Sequence, residues 1–107
     1  AGDLGQRMLH SPEVKREATF SMRISRQSST VVQGIIDCVF REGDGWILID
    51  YKTDHDTAPE TFVPRHEMQM NWYRAALERL TRVRVREMWL FALSAGRAYP
   101  VERREIG

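Results

Sequence analysis

With 107 residues, 42% of them apolar and 29% charged, the chain has room for one domain with a single modest core and is too apolar to be disordered. A net charge of +1, and no uncharged apolar stretch of the roughly 18 to 20 residues a membrane helix needs, mean that neither bulk charge nor hydropathy announces a nucleic-acid or membrane partner. The one cysteine, Cys38, excludes an internal disulfide and any cysteine-built metal site.

No charged-then-apolar signal segment opens the chain, so the cytoplasm is the expected compartment. The start on Ala1-Gly2-Asp3, without an initiating Met, suggests a piece of a longer protein. The basic residues are fourteen Arg and two Lys. Arg suits bidentate phosphate contacts, although a solvated surface with a compositional bias explains the same excess.

In chain order, residues 1–14 form a weakly structured lead-in, with Leu4 to Leu9 as a short helical end that stops before Pro12. Arg16 to Ile24 alternates, with Ala18, Phe20, Met22 and Ile24 on one side, and reads as a half-buried strand. Ser25 to Ser29 turns. Val31 to Phe40 is a β-branched run joined through Glu42-Gly43-Asp44-Gly45 to Trp46–Tyr51, which together predict a hairpin. A polar loop from Asp54 to Thr61 leads to a helix over 64–81 that starts at Pro64, with Met68, Trp72, Ala75, Ala76, Leu77 and Leu80 at helical intervals. Val83–Leu93 and Ala98–Glu102, joined through Ser94-Ala95-Gly96-Arg97, close the chain as a hairpin within 83–104. The expected architecture is a single α+β domain, a mixed and largely antiparallel sheet with one main helix packed on it.

A two-residue turn at Gly43-Asp44 pairs Glu42 with Gly45, and counting back along both strands sets Asp37 opposite Asp50. Like charges at such a position, with Cβ atoms about 5 Å apart, are destabilising unless something offsets them. Period-two geometry puts Lys52 on the face of Asp50, and assigns Ile36, Cys38, Phe40, Ile47, Ile49 and Tyr51 to an apolar opposite face. Two facing acids and an amine suit a divalent cation such as Mg²⁺, whose oxygen ligands they resemble, with Lys52 free to stabilise charge on a phosphate. An ion pair of Lys52 with Asp37 or Asp50 accounts for the same three residues. On the helix, Gln69 and Tyr73 lie one turn apart on a face that continues into Ala76 and Leu80.

Two other features have plainer explanations. Trp46, Trp72 and Trp89 offer stacking surfaces for bases but suit a core better. Arg82, Arg84 and Arg86 would share one strand face able to follow a phosphate backbone, or form a solvated edge.

Val32-Gln33-Gly34-Ile35-Ile36-Asp37, then Ile49-Asp50-Tyr51-Lys52-Thr53-Asp54, then Gln69-x-x-x-Tyr73 appear in the order and at the spacing of three successive motifs. With Arg16-Glu17-Ala18-Thr19-Phe20 before them, they resemble the RecB-like branch of the PD-(D/E)XK nucleases, and within it the C-terminal nuclease domain of the AddA family. The resemblance covers roughly residues 9–102. It implies a restriction-endonuclease-like core in which Asp37, Asp50 and the main-chain carbonyl of Tyr51 hold Mg²⁺ or Mn²⁺ and Lys52 is the catalytic lysine. Gln69 and Tyr73 would brace the site and contact DNA, and Glu17 would join these supporting residues. It further implies hydrolysis of single-stranded DNA, the end of a duplex unwound by an ATP-dependent helicase motor in the same parent chain, which works with an AddB-like partner subunit.

The family also carries a metal-binding His on a helix upstream of the first strand. His10 lies too close to that strand to match, and His55 and His66 read as surface residues in or beside the loop after Lys52. The fragment alone is therefore expected to show a weakened metal site and little activity. A catalytically silent DNA- or protein-binding module, and a structural domain whose acids are salt-bridged, are the competing expectations.

Overall fold

The computed structural model describes residues 2–23 and 31–105. Its elements are α1 (Gly2–Leu9), β1 (Val14–Arg23), β2 (Val31–Glu42), β3 (Gly45–Lys52), α2 (Pro59–Thr81), β4 (Val85–Ala92) and β5 (Arg97–Val101). One sheet runs in the order β1-β2-β3-β4-β5. Every neighbouring pair is antiparallel except β3 and β4, which are parallel. A parallel pair needs a crossover, and α2 supplies it. The chain is thus α+β, with a mixed, largely antiparallel sheet and one main helix, as its sequence pattern predicts. No helix is long and apolar enough to cross a membrane among the described residues.

The two faces of the sheet carry separate cores. Toward α2 lie Phe20, Ile36, Val39, Trp46, Leu48, Phe62, Met70, Leu77, Met88 and Leu90; toward α1 lie Leu4, Cys38, Phe40, Ile47 and Ile49. The lead-in is accordingly more ordered than its sequence suggests. Leu4 is buried, and Arg7 binds both Glu42 (2.7 Å) and Glu87 (3.0 Å), fixing α1 across the β2–β3 turn. The predicted end of β1 at Ile24 and the turn from Ser25 to Ser29 lie outside the described residues.

One predicted face is wrong, and the reason is local. Ile36 packs toward α2, whereas Cys38 and Phe40 pack toward α1. On β1 the same switch separates Arg16, whose Nη2 lies 3.6 Å from Met8 Sδ, from Ala18 on the α2 side. Strict alternation would keep each pair together. Glu17, left-handed at φ 52°, stands opposite Asp37 between the paired positions Arg16↔Cys38 and Ala18↔Ile36, and the pleat turns over there.

Helix α2 starts five residues earlier than predicted, with Pro59 rather than Pro64 in its first turn. Pro64 forfeits only the bond to the Glu60 carbonyl, and both residues are exposed, so the loss falls on the solvent-facing side of the helix. The buried stripe also differs: Met68 and Leu80 are exposed (64% and 58%), while Asn71 and Arg74 are buried. These polar residues are satisfied by the segment after β5, as Arg104 N donates to Asn71 Oδ1 (2.7 Å) and Arg74 Nη2 to the Arg104 carbonyl (2.8 Å). The three Arg from 82 to 86 do not share a strand face. Arg82 is the left-handed cap of α2 (φ 61°) and Arg84 precedes β4, which leaves only Arg86 within the strand. The tryptophans belong to the packing: Trp46 is buried with its Nε1 donating to Thr81 Oγ1 (3.0 Å), and Trp72 packs on the α2-side core.

Candidate active site

The β2–β3 turn sets the register on which the site depends. Gly43 takes φ 60°, a conformation that costs glycine little, and Glu42 pairs with Gly45. The ladder then runs to Cys38↔Ile49, so Asp37 and Asp50 are the next residues in line. There the Asp37 side chain replaces a backbone partner, its Oδ2 accepting the Tyr51 amide at 2.9 Å. An extended residue directs its N–H and C=O to the same edge, so the Tyr51 carbonyl opens on the side of Asp37.

Asp50 is 4% exposed and lies beside the Asp37 carboxyl, while Lys52 Nζ lies 2.8 Å from Asp50 Oδ2. Burial and the neighbouring Asp37 push the Asp50 carboxyl up to about 6, against the pull of Lys52. Lys52 Nζ also donates to Gln69 Oε1 (2.6 Å), and Gln69 Nε2 donates to Tyr73 Oη (3.1 Å). Burial, then the charges of Asp50 and Asp37, raise the Tyr73 hydroxyl above its ordinary range. Tyr73 meets Phe20 edge to face at 5.3 Å. The structure therefore brings Asp37, Asp50, Lys52, Gln69 and Tyr73 into one connected group at the carboxyl end of β3.

Glu17 does not join it. Its side chain is exposed on the edge strand, and no three His, Cys, Asp or Glu side chains gather to hold a metal among the described residues. What Glu17 supplies is the left-handed backbone opposite Asp37. The donors present fit a hard divalent cation: two carboxylates and a backbone carbonyl, with one carboxylate held above its normal range by burial and its like-charged neighbour.

Sequence reasoning missed three contributors. Gly34 is the floor under the aromatic pair, since a Cβ there would lie 2.8 Å from the Phe20 ring and 2.9 Å from the Tyr73 ring. Gly34→Ala is expected to displace Tyr73, weaken its bond to Gln69 and lower stability by about 1 to 3 kcal/mol, measurable as an earlier urea midpoint. Unchanged stability would show that the rings yield freely. Asp54 and His66 are the other two: His66 is no surface residue but half-buried, with Nε2 at 2.8 Å from Asp54 Oδ2 and its ring against Phe62. The i, i+3 spacing of His66 and Gln69 was the available signal. His10 and His55 are exposed, as expected.

A crossover sheet with two facing acids and a lysine at one strand end suits a divalent cation and a phosphate-bearing ligand. Residues 4–105 match the family model of the PD-(D/E)XK nuclease superfamily, and the chain belongs to that superfamily. It is 36% identical over 106 positions to the AddA subunit of the ATP-dependent helicase/nuclease of Clostridium botulinum, covering 87% of this chain and 8% of that protein. The counterpart from a Thermoanaerobacter species is 38% identical, with 87% and 9% covered. The chain thus spans less than a tenth of these relatives. The crystal structure of SSO0001 shares the fold at a TM-score of 0.63 and 14% identity, over 87% of this chain and 43% of that one.

Proposed function

We propose that this chain is the metal-dependent DNA nuclease domain of an AddAB/RecB-like double-strand-break repair exonuclease. The observation that carries the reading is the convergence of Asp37, Asp50 and Lys52 on one face, with Lys52 2.8 Å from Asp50. Asp37, Asp50 and the Tyr51 carbonyl would hold Mg²⁺ or Mn²⁺. Such an ion, when bound, supplies a Lewis acid for a phosphoryl oxygen and lowers the pKa of a water. Lys52 stabilises the negative charge that develops on the phosphoryl oxygens. Gln69 fixes the Lys52 ammonium from the helix side, and Tyr73 lines the approach for the DNA strand.

The relatives are helicase/nuclease subunits by name, which supports a substrate of single-stranded DNA unwound by an ATP-driven motor in the same parent chain. It also supports a cytoplasmic setting and an AddB-like partner subunit. A silent binding module with the nuclease fold is the second reading. It is favoured by the two-carboxylate set, which no third His, Cys, Asp or Glu completes among the described residues.

Incubation of end-labelled single-stranded DNA with the protein and Mg²⁺, with EDTA as control, tests the proposal. Weak nicking in Mg²⁺ alone is the expected result, stronger in a longer parent chain and accompanied by a rise in melting temperature on adding Mn²⁺. Mn²⁺ stabilisation without nicking in either form favours the silent module, and neither effect would leave the acids as a salt-bridged structural feature.

A further inference from the structure

We propose that Asp54 is a positioning residue, which ties α2 to the end of β3 and so fixes where the Lys52 ammonium points. The inference rests on the reading of Lys52 as the catalytic lysine. Segment 52–54 is held from two sides. Toward the β4–β5 turn, Leu93 N donates to the Lys52 carbonyl (2.9 Å) and Ser94 Oγ to the Asp54 carbonyl (2.7 Å). Toward α2, the Asp54 carboxylate accepts from Arg65 Nη1 and from His66 Nε2 (2.8 Å). His66 is itself fixed edge-on against buried Phe62, with ring centroids 5.3 Å apart.

Gln69 follows His66 by three residues and Arg65 by four, one turn further along the same side of α2. The two elements are therefore joined twice, by Asp54 at one turn and by the Lys52–Gln69 bond of 2.6 Å at the next. The core and the segment after β5 hold α2 as a whole, and these two ties set where its 65–69 turns meet the end of β3. With the first removed, that stretch is joined to β3 by the Lys52–Gln69 bond alone, and the Lys52 amine follows Gln69 away from Asp50.

Arg65 is exposed and Asp54 and His66 are only partly buried, so these bonds contribute little to stability, whereas a misplacement of about 1 Å near the reacting atoms costs on the order of a hundredfold in rate. Geometry and stability should therefore respond differently. Both donors meet one oxygen, Asp54 Oδ2. Asp54→Asn keeps that acceptor and Asp54→Ala removes it.

The chain's two lysines make the test internal, because Lys15 is exposed (51%) and Lys52 is not (18%). In competitive acetylation of the metal-free protein, read by mass spectrometry, Asp54→Ala is expected to raise Lys52 labelling relative to Lys15 by about fivefold or more. Asp54→Asn should stay near the wild-type ratio. In DNA cleavage, Asp54→Ala should lower kcat by about ten- to a hundredfold with KM almost unchanged, and Asp54→Asn should recover most of it. An unchanged labelling ratio in Asp54→Ala, or a rise explained by unfolding in a thermal melt, overturns the proposal. An equal rise in Asp54→Asn overturns the assignment to the shared oxygen. Labelling needs neither metal nor DNA, so a wild type that cleaves nothing even within the longer parent chain sinks the nuclease reading while the positioning of Lys52 is still decided.

Discussion

Asp50→Asn is expected to stabilise the metal-free protein at pH 7 and, under the proposed nuclease function, to abolish metal-dependent cleavage of DNA. Asp50 is 4% exposed beside the Asp37 carboxyl, and its own carboxyl is pushed up to about 6 by burial and then by Asp37. The unfolded chain ionises it near the usual value of about 3.9. The folded state therefore binds this proton more tightly, and the stability it contributes is complete below about pH 4 and lost as pH rises to about 6. Asn does not titrate. Two pKa units correspond to about 3 kcal/mol at most, and losing the Lys52 partner reduces the net gain to the order of 1 to 2 kcal/mol.

Urea midpoints measured in EDTA from pH 4 to 7 should show the variant pulling ahead of the wild type across this window and holding a constant lead above it. A lead that shrinks with rising pH would mean that Lys52 already outweighs burial. Adding Mn²⁺ should reverse the order, because only the wild type gains stability by binding it. Cleavage by the variant should fall on the order of a thousandfold. Lys52→Ala separates the two roles: it should lose cleavage comparably yet keep Mn²⁺ stabilisation, since Asp37 and Asp50 are retained, and lose stability in EDTA because Asp50 is left without its cation.

The site was legible because its geometry follows from one local rule. A two-residue turn with Gly43 at φ 60° fixes the register, and the register fixes Asp37 against Asp50. Alternation then places Lys52, and helical spacing places Gln69 and Tyr73. The errors arise where neighbours override local rules. Nothing in Arg16-Glu17-Ala18 announces a left-handed residue, yet Glu17 at φ 52° turns the pleat and moves Ile36 to the other core. Pro64 signals a helix start in isolation, but Pro59 takes that place and the later proline sits where its missing amide faces water. Met68 and Leu80 fit an apolar stripe by spacing. The actual stripe admits Asn71 and Arg74 because a distant segment satisfies them.

That buried polar pair carries the largest expected loss of stability. Asn71 is 1% exposed; its Nδ2 donates to the Glu67 and Glu102 carbonyls (3.1 Å each), and its Oδ1 accepts from Arg74 Nε (3.1 Å) and Arg104 N (2.7 Å). Arg74, 3% exposed, continues to Glu78 Oε1 (2.9 Å), which Arg103 also binds (2.8 Å). Asn71→Leu preserves the shape and removes all four bonds, leaving the Arg74 Nε buried and unpaired and the partly buried Arg104 amide and Glu102 carbonyl without their protein partner. At about 1 to 3 kcal/mol for a stranded buried group, and less for the two that water reaches, the loss should be about 2 to 4 kcal/mol. Asn71→Asp retains the oxygen that accepts from both Arg74 and Arg104 and should lose clearly less. Equal losses would mean that the carbonyl bonds, not those to Arg74 and Arg104, hold the segment down. Asn71 binds the segment after β5, away from Gln69 and Tyr73, so cleavage measured cold enough to keep both variants folded should fall less than about fivefold. A much larger fall would show that the site depends on this strap for the position of α2.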